Sequence, residues 1–386
     1  MSKSIVIAGA SIGGLALAAN LSRRRWEGRV VIATEPTSVS RRLIAGCTLR
    51  RGTLARLAAA WGCSVPTLVE RLTGGKGAFH SLTGSVARVS AGGKIHFEQP
   101  LVVHARPTSE LPLGLSMRHA AITEGLRCSM QELDVSLVEK PIGGPADLAS
   151  LAPTDDVLLV NATLKDLLGA PALPSPRRYV VACQAPCTIA AGGLRPPLDP
   201  HTGYFPFARL EDGSHVAFFS PFYDALSPQA PWYGVNTRIV SADAGFDRER
   251  ELQSLVNGFE RLAAALGLEL HEPAETLGSA IMPVTEGPPP QSQPGTFEAG
   301  RAFSSGAQAI YVDGMLAAAT GAHAFADALN SGALDPEVAV ARALRGIRFR
   351  NWVMQEIMTR PFEPVARLLR TFPWPIGCWF GIDWLR

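Results

Sequence analysis

Apolar positions along the chain fall into two rhythms. Ser4-Ile5-Val6-Ile7-Ala8 is a short uninterrupted apolar run, the pattern of a strand buried on both faces. Leu15, Leu17, Ala18 and Leu21 then recur at helical spacing. That helix ends near Arg23-Arg24-Arg25, where positive charge suits the negative end of the helix dipole. A second strand pattern, Arg29-Val30-Val31-Ile32-Ala33, ends beside Glu35. Further on, Leu49, Leu54, Leu57 and Trp61 space out a helix that Gly62 can cap. Residues 74–105 read as hairpin strands with Gly turns, and Met117-Arg118-His119 opens a helix to about Leu133.

The middle of the chain changes character. Asp156 to Thr163 is a fully apolar strand ending in the small polar run Asn161-Ala162-Thr163, and it belongs beside the first strand in a parallel sheet. Arg177 to Ala190 and Thr202 to Ser220 read as antiparallel strands, with a hairpin turn at Leu210 to Ser214. Arg248 to Leu266 is an amphipathic helix, and Pro288 to Gly300 a Pro/Gln/Ser-rich loop. Ala309 to Gly314 reads as a strand ending in Asp313, followed by the small-residue turn Ala317 to His323 and a helix from Ala324 to Ser331.

The first stretch carries the clearest chemistry. Gly9 permits a tight turn out of the strand. Ser11, a small residue, lets a pyrophosphate approach the backbone, and Gly14 lets the helix pack close to the strand. With Ala10, Ile12 and Gly13, these residues aim backbone N–H groups and the helix dipole at phosphates. Glu35 can accept hydrogen bonds from an adenosine ribose. The run therefore reads as a dinucleotide turn in which Ser11 replaces the middle glycine; a packing unit that has lost its ligand is the competing reading. Arg41 and Arg42, just after the ribose acid, can reach phosphates or a ribityl chain, or form a solvated basic loop.

Composition narrows the class. A chain of 386 residues supports a large core and two interlocked domains. The net charge of +2 gives no reason to expect a nucleic-acid partner. Cys183 and Cys187 form the one close cysteine pair and read as core thiols, so no metal site is expected; the scattered cysteines suit a reducing cytoplasm. The first strand begins almost at Met1, so no signal peptide is expected, and no apolar run reaches the roughly 20 residues that span a bilayer.

These segments together resemble the FAD-dependent monooxygenases of the p-hydroxybenzoate hydroxylase fold, with their geranylgeranyl reductase, styrene monooxygenase and halogenase relatives. Ile5 to Leu21 looks like the family's FAD motif. Arg42 to Gly46 resembles its first flavin-contacting arginine segment, and Arg118 the arginine that opens the next family helix. Tyr311-Val312-Asp313-Gly314 resembles its Gly-Asp motif, and Ala328 to Leu334 the helix that follows it in geranylgeranyl reductases. The family's Asp-Gly motif is replaced by Asn161-Ala162-Thr163, closer to the turn of styrene monooxygenases and halogenases, and the halogenase Trp-x-Trp-x-Ile-Pro motif is missing.

The resemblance implies an α/β fold: a Rossmann-like FAD-binding domain with a parallel sheet (1–75, 106–170, 301–345), interlocked with a mostly antiparallel β-sheet substrate domain (76–105, 171–300), and a C-terminal helical segment (346–386). It implies FAD held by Gly9, Ala10, Ser11, Ile12, Gly13, Gly14, Glu35, Arg42, Arg118, Thr163, Asp313 and Gly321. The expected activity is hydroxylation or epoxidation of an apolar or aromatic small molecule through a flavin C4a-hydroperoxide, in secondary metabolism. NAD(P)H would supply electrons directly or through a separate flavin reductase. Two alternatives stand beside it: reduction of isoprenoid-type double bonds, and a flavin-fold binding or scaffold subunit without redox activity. Tyr204, Phe205, Phe207, Phe218, Phe219 and Phe222 can line an apolar substrate pocket or belong to the core. His323 can donate a proton near the flavin or be a buried structural histidine.

The tail crowds Trp352, Phe362, Trp374, Trp379 and Trp384 with interleaved arginines, and Pro361, Pro364, Pro373 and Pro375 break it into short helical pieces. It either packs over the two domains or touches an anionic membrane surface.

Overall fold

The structure, a computed structural model, describes residues 3–35, 46–98, 101–104, 111–152, 154, 156–163, 165–169, 175–191, 198–224, 229–243, 245–271, 278–284, 292–304, 313–332 and 335–371. Its strands are β1 (Ser4–Ala8), β2 (Arg29–Thr34), β3 (Gly46–Arg50), β4 (Ala78–Phe79), β5 (Ser81–Val89), β6 (Ile95–Phe97), β7 (Leu101–His104), β8 (Gly114–Arg118), β9 (Ser136–Glu139) and β10 (Val157–Asn161). The second half adds β11 (Arg178–Ile189), β12 (Thr202–Leu210), β13 (Gly213–Pro221), β14 (Trp232–Ser241), β15 (Leu268–Leu270), β16 (Gly278–Pro283) and β17 (Thr296–Phe297). The helices are α1 (Ile12–Arg23), α2 (Arg51–Trp61), α3 (Val65–Thr73), α4 (His119–Cys128), α5 (Pro145–Ala149), α6 (Arg248–Ala265), α7 (Ala299–Ser304), α8 (Asp313–Ser331), α9 (Pro336–Met358) and α10 (Phe362–Thr371).

The apolar runs of β1, β2 and β10 pair in parallel, as their continuous hydrophobicity demands of strands covered on both faces. The five-stranded sheet has the order β17-β10-β1-β2-β9. On one face α1 packs with α2 and α8 around Ile5, Ile7, Leu15 and Phe325. On the other, Val6, Val31 and Leu159 meet Leu148 of α5 and the segment carrying Leu167 and Leu168.

A nine-stranded sheet follows the order β15-β11-β14-β13-β12-β5-β6, with β16 added on β11 and β7 on β5. Its pairs are antiparallel except β12 with β5. Both faces are covered, by α6 on one side and α10 on the other. A three-stranded sheet, β3-β8-β4, joins the two.

Three expectations change. The segment 317–323 is not a turn: α8 runs unbroken from Asp313, because its alanines are strong helix formers and no proline interrupts them. The loop from Pro288 to Gly300 contains β17, which joins the parallel sheet rather than the second domain. Pro364 sits in the first turn of α10, where a missing N–H costs nothing, so it does not break the tail. The expected strand 309–312, Arg42 and residues 372–386 lie outside the described residues.

Candidate functional site

The registers of the parallel sheet bring four chain segments to one carboxyl edge. Ala8 lies level with Ala33 on one side and Asn161 on the other, and β17 continues the edge to Glu298. That edge of a parallel sheet is where ligands bind in such folds.

Gly9 leaves β1 with φ +99°, and its N–H donates to the Ala33 carbonyl at 2.7 Å. A Cβ at Gly14 would stand 2.2 Å from the Gly9 carbonyl oxygen, so a side chain there would push α1 off the turn. Ser11 is the N-cap: its Oγ accepts from the Gly14 N–H at 3.3 Å and donates to the Ala162 carbonyl at 2.9 Å. The serine that replaces the usual glycine thus ties the turn to β10. Gly9, Ala10 and Ser11 remain partly exposed, while Ile12, Gly13 and Gly14 are buried.

Asn161 organises the neighbouring turn. Its Oδ1 accepts from the Thr163 N–H at 3.0 Å and the Thr163 hydroxyl at 2.7 Å, and its Nδ2 donates to the Lys165 carbonyl and to Glu298 Oε2 at 2.8 and 2.9 Å. Lys165 reaches back to Glu35, Nζ to Oε1 2.5 Å, with both side chains about half exposed. Glu298 is 2 % exposed; burial pushes its carboxyl up from the ordinary range, against the hydrogen bond from Asn161. Neither Lys165 nor Glu298 stands out in the sequence, since Lys165 acquires its role when β10 and β2 flank β1, and Glu298 when β17 pairs with β10.

Phe303 is the larger surprise. Its ring lies against Gly13, where an added Cβ would be 3.2 Å away, and against Gly321, where it would be 2.4 Å away. Gly321 therefore serves a helix-to-helix approach inside α8, not a phosphate turn. Asp313 begins α8. His323 sits further from the turn, level with Asn20 of α1 and Arg24 just beyond its end. Its Nδ1 is 3.1 Å from Asn20 Oδ1 and its Nε2 3.2 Å from Asp327 Oδ2. Asn20 is nine residues beyond Ser11 on one helix, about 13 Å along its axis. His323 thus locks α8 to α1, and burial together with the Arg24 guanidinium holds its pKa below the usual value.

Arg118 does precede the next helix, but its guanidinium is committed to Asp224, Nε to Oδ2 2.9 Å, in a pair buried between the sheets. Beside it runs a buried hydroxyl chain: Thr48 to Ser116 at 2.7 Å and Ser116 to Ser220 at 2.7 Å. Tyr233 donates to the Gly46 carbonyl at 2.8 Å and touches the Gln184 amide, fastening β3 to the large sheet.

The aromatic residues expected in one pocket split between two cores. Phe205, Phe207 and Phe218 pack with Phe362 and Val365 under α10. Phe219 stacks on Phe259 of α6, and Tyr204 packs beside Trp232. Only Phe222, stacked on Tyr233, faces the seam between the sheets. Alternation along β12 and β13 sends successive side chains to opposite faces, and both faces are covered.

The edge residues suit the adenosine and pyrophosphate end of a dinucleotide: a small-residue turn, partly exposed at Gly9 to Ser11, and a carboxylate just past β2. The Phe303 ring narrows the face at Gly13. Among the described residues no cluster of His, Cys, Asp or Glu could hold a metal ion, and no described helix is long and apolar enough to cross a membrane.

No protein-family profile and no curated protein sequence matches the chain. Solved structures do. FqzB superposes with a TM-score of 0.60 at 12 % identity, covering 99 % of this chain and 91 % of FqzB. Pseudomonas aeruginosa PqsL in complex with 2-aminobenzoylacetate gives 0.56 at 15 %, covering 96 % and 98 %. CtdE in complex with FAD and a substrate gives 0.54 at 11 %, covering 96 % and 98 %. At such identities the likeness establishes the fold alone: a parallel-sheet unit joined to a large mixed sheet.

Proposed function

We propose that this protein is an FAD-dependent monooxygenase acting on an apolar or aromatic small molecule. The observation that carries the reading is the carboxyl edge of the parallel sheet. There the Gly9–Gly14 turn, Glu35 and the Asn161-Ala162-Thr163 turn converge, in a fold shared with CtdE, whose structure contains FAD. The backbone N–H groups of Ala10 to Gly13, inside the Gly9–Gly14 turn, would hold the pyrophosphate, and Glu35, steadied by Lys165, would hold the ribose. FAD, when bound, supplies the oxygen-activating redox chemistry. The chain's own tasks are then to orient it, to seat the substrate at the seam near Phe222 and Tyr233, and to keep water out. A separate flavin reductase supplies the electrons in this reading, which follows from the Asn161-Ala162-Thr163 turn.

The test is oxygen uptake by the photoreduced, FAD-loaded protein. Uptake that rises with an aromatic or apolar substrate, together with incorporation of one oxygen atom into product, supports the proposal; reoxidation with no oxygenated product from any substrate tried counts against it.

One observation favours a second reading, a flavin-fold binding subunit without redox activity. Phe303 fills the niche between Gly13 and Gly321. A protein that takes up no flavin at all would support that reading.

A further inference from the structure

At one end of the large sheet lies a cavity of about 740 Å³. It is bounded by the ends of β11, β12 and β14, the β12–β13 turn and the corner between α9 and α10. Five arginines line it: Arg177, Arg178, Arg209, Arg238 and Arg360. Its volume lies within the roughly 300–1,000 Å³ typical of small-molecule sites.

The charges divide into two sets. Arg238 is buried and bridges Asp212 and Glu251, and Arg250 stands 3.8 Å from Glu251, so the two carboxylates of the lining face two guanidiniums. Asp212 also accepts from His215 at 2.9 Å and from Ser254. Burial alone would raise its pKa, but these hydrogen bonds hold the carboxyl well below the usual range. Arg178 is paired with Glu356 at 2.9 Å. The acids thus point inward and lock the β12–β13 turn to α6. Arg177, Arg209 and Arg360 are exposed at the cavity and enter no ion pair among the described residues. They come from β11's entry, from β12 and from the α9–α10 corner, segments far apart in sequence.

Three exposed guanidiniums around one cavity, over a floor whose own charges are paired, leave a net positive charge that an anion can share. Each offers a planar fork suited to phosphate oxygens. We infer that this cavity binds a phosphate-rich small molecule, with Arg177, Arg209 and Arg360 as its ligands. Ile239, Met358 and Phe362 give the same cavity an apolar side that could take a nucleoside's base. The shared chemistry is the polyphosphate chain; an inorganic polyphosphate and a nucleotide are its two sources.

The experiment is titration calorimetry of the full chain at low ionic strength, with inorganic tripolyphosphate and with adenosine triphosphate as the probes. The same titrations are run on the R177A/R209A/R360A variant and on Arg209→Ala alone. All three side chains are exposed, so the variants should keep the wild-type circular dichroism. Saturable one-to-one binding is expected, weakened about tenfold by Arg209→Ala and abolished in the triple variant, since each lost charge-assisted hydrogen bond is worth roughly a factor of ten. Equal affinity for the two probes would identify the phosphate chain as the whole ligand; tighter nucleotide binding would add the apolar side. Absence of saturable binding of either probe overturns the inference. So does binding that the triple variant retains, because the anion would then sit elsewhere, for instance at the α1 turn.

Discussion

The Phe303 ring rests on Gly13, at the buried face of the turn that opens α1. A Cβ at position 13 would stand 3.2 Å from the ring and displace it by a few tenths of an ångström, and one at Gly321 on α8 would stand 2.4 Å from it. One aromatic ring therefore packs beside the turn on which the proposed cofactor depends.

Phe303→Ala should bind FAD several-fold more tightly than the wild type, measured by flavin fluorescence quenching. The same change should cost about 3–5 kcal/mol of stability, as large-to-small core substitutions do. Phe303→Leu is the milder companion, keeping most of the packing. If both variants bind FAD as the wild type does, the ring does not obstruct the site.

Glu298 gives a pH signature. Its carboxyl is raised in the folded protein, so the native state holds its proton more tightly than the unfolded chain. The contribution to stability is full below the unfolded carboxylate pKa, near 4.3. It is lost as pH rises from there through the elevated native value. Glu298→Gln should remove that fall: urea-unfolding free energies of the variant should change less between mildly acidic and neutral pH than those of the wild type. An identical pH dependence in the two proteins would show that Glu298 is not held protonated by its burial.

The Arg118–Asp224 pair makes a different demand. Asp224 is 5 % exposed, and removing it strands a buried guanidinium. Asp224→Ala should cost about 3–5 kcal/mol in chemical denaturation. A loss below about 1 kcal/mol would mean that the pair is solvated, as surface pairs are.

Much of this molecule is legible in its sequence, and the limits have physical causes. The apolar runs 4–8, 29–33 and 156–161 announce a parallel sheet because strands buried on both faces need no alternation. The Gly9–Gly14 turn is readable because its spacing is set by local geometry. Glu298 and Phe303 are not readable, since they are placed by the pairing of β17 with β10, nor is Lys165, whose partner Glu35 follows β2; these are contacts between distant segments. The reading of 317–323 as a turn failed because small residues serve equally for phosphate turns and for close helix packing, and α8 uses them for packing. The aromatic residues of β12 and β13 misled for a related reason: alternation shows that side chains diverge, but not that both faces are covered. The arginine cavity escaped because its three cations stand at positions 177, 209 and 360.

The central claim is that the carboxyl edge of the parallel sheet holds FAD. Equilibrium dialysis of the purified full chain against FAD, with the visible spectrum recorded on the retained protein, tests it most directly. The account predicts one FAD per chain at saturation, with flavin absorption bands altered from those of the free cofactor. A protein that stays colourless and retains no FAD, at concentrations that saturate Phe303→Ala or with that variant equally empty, would contradict it.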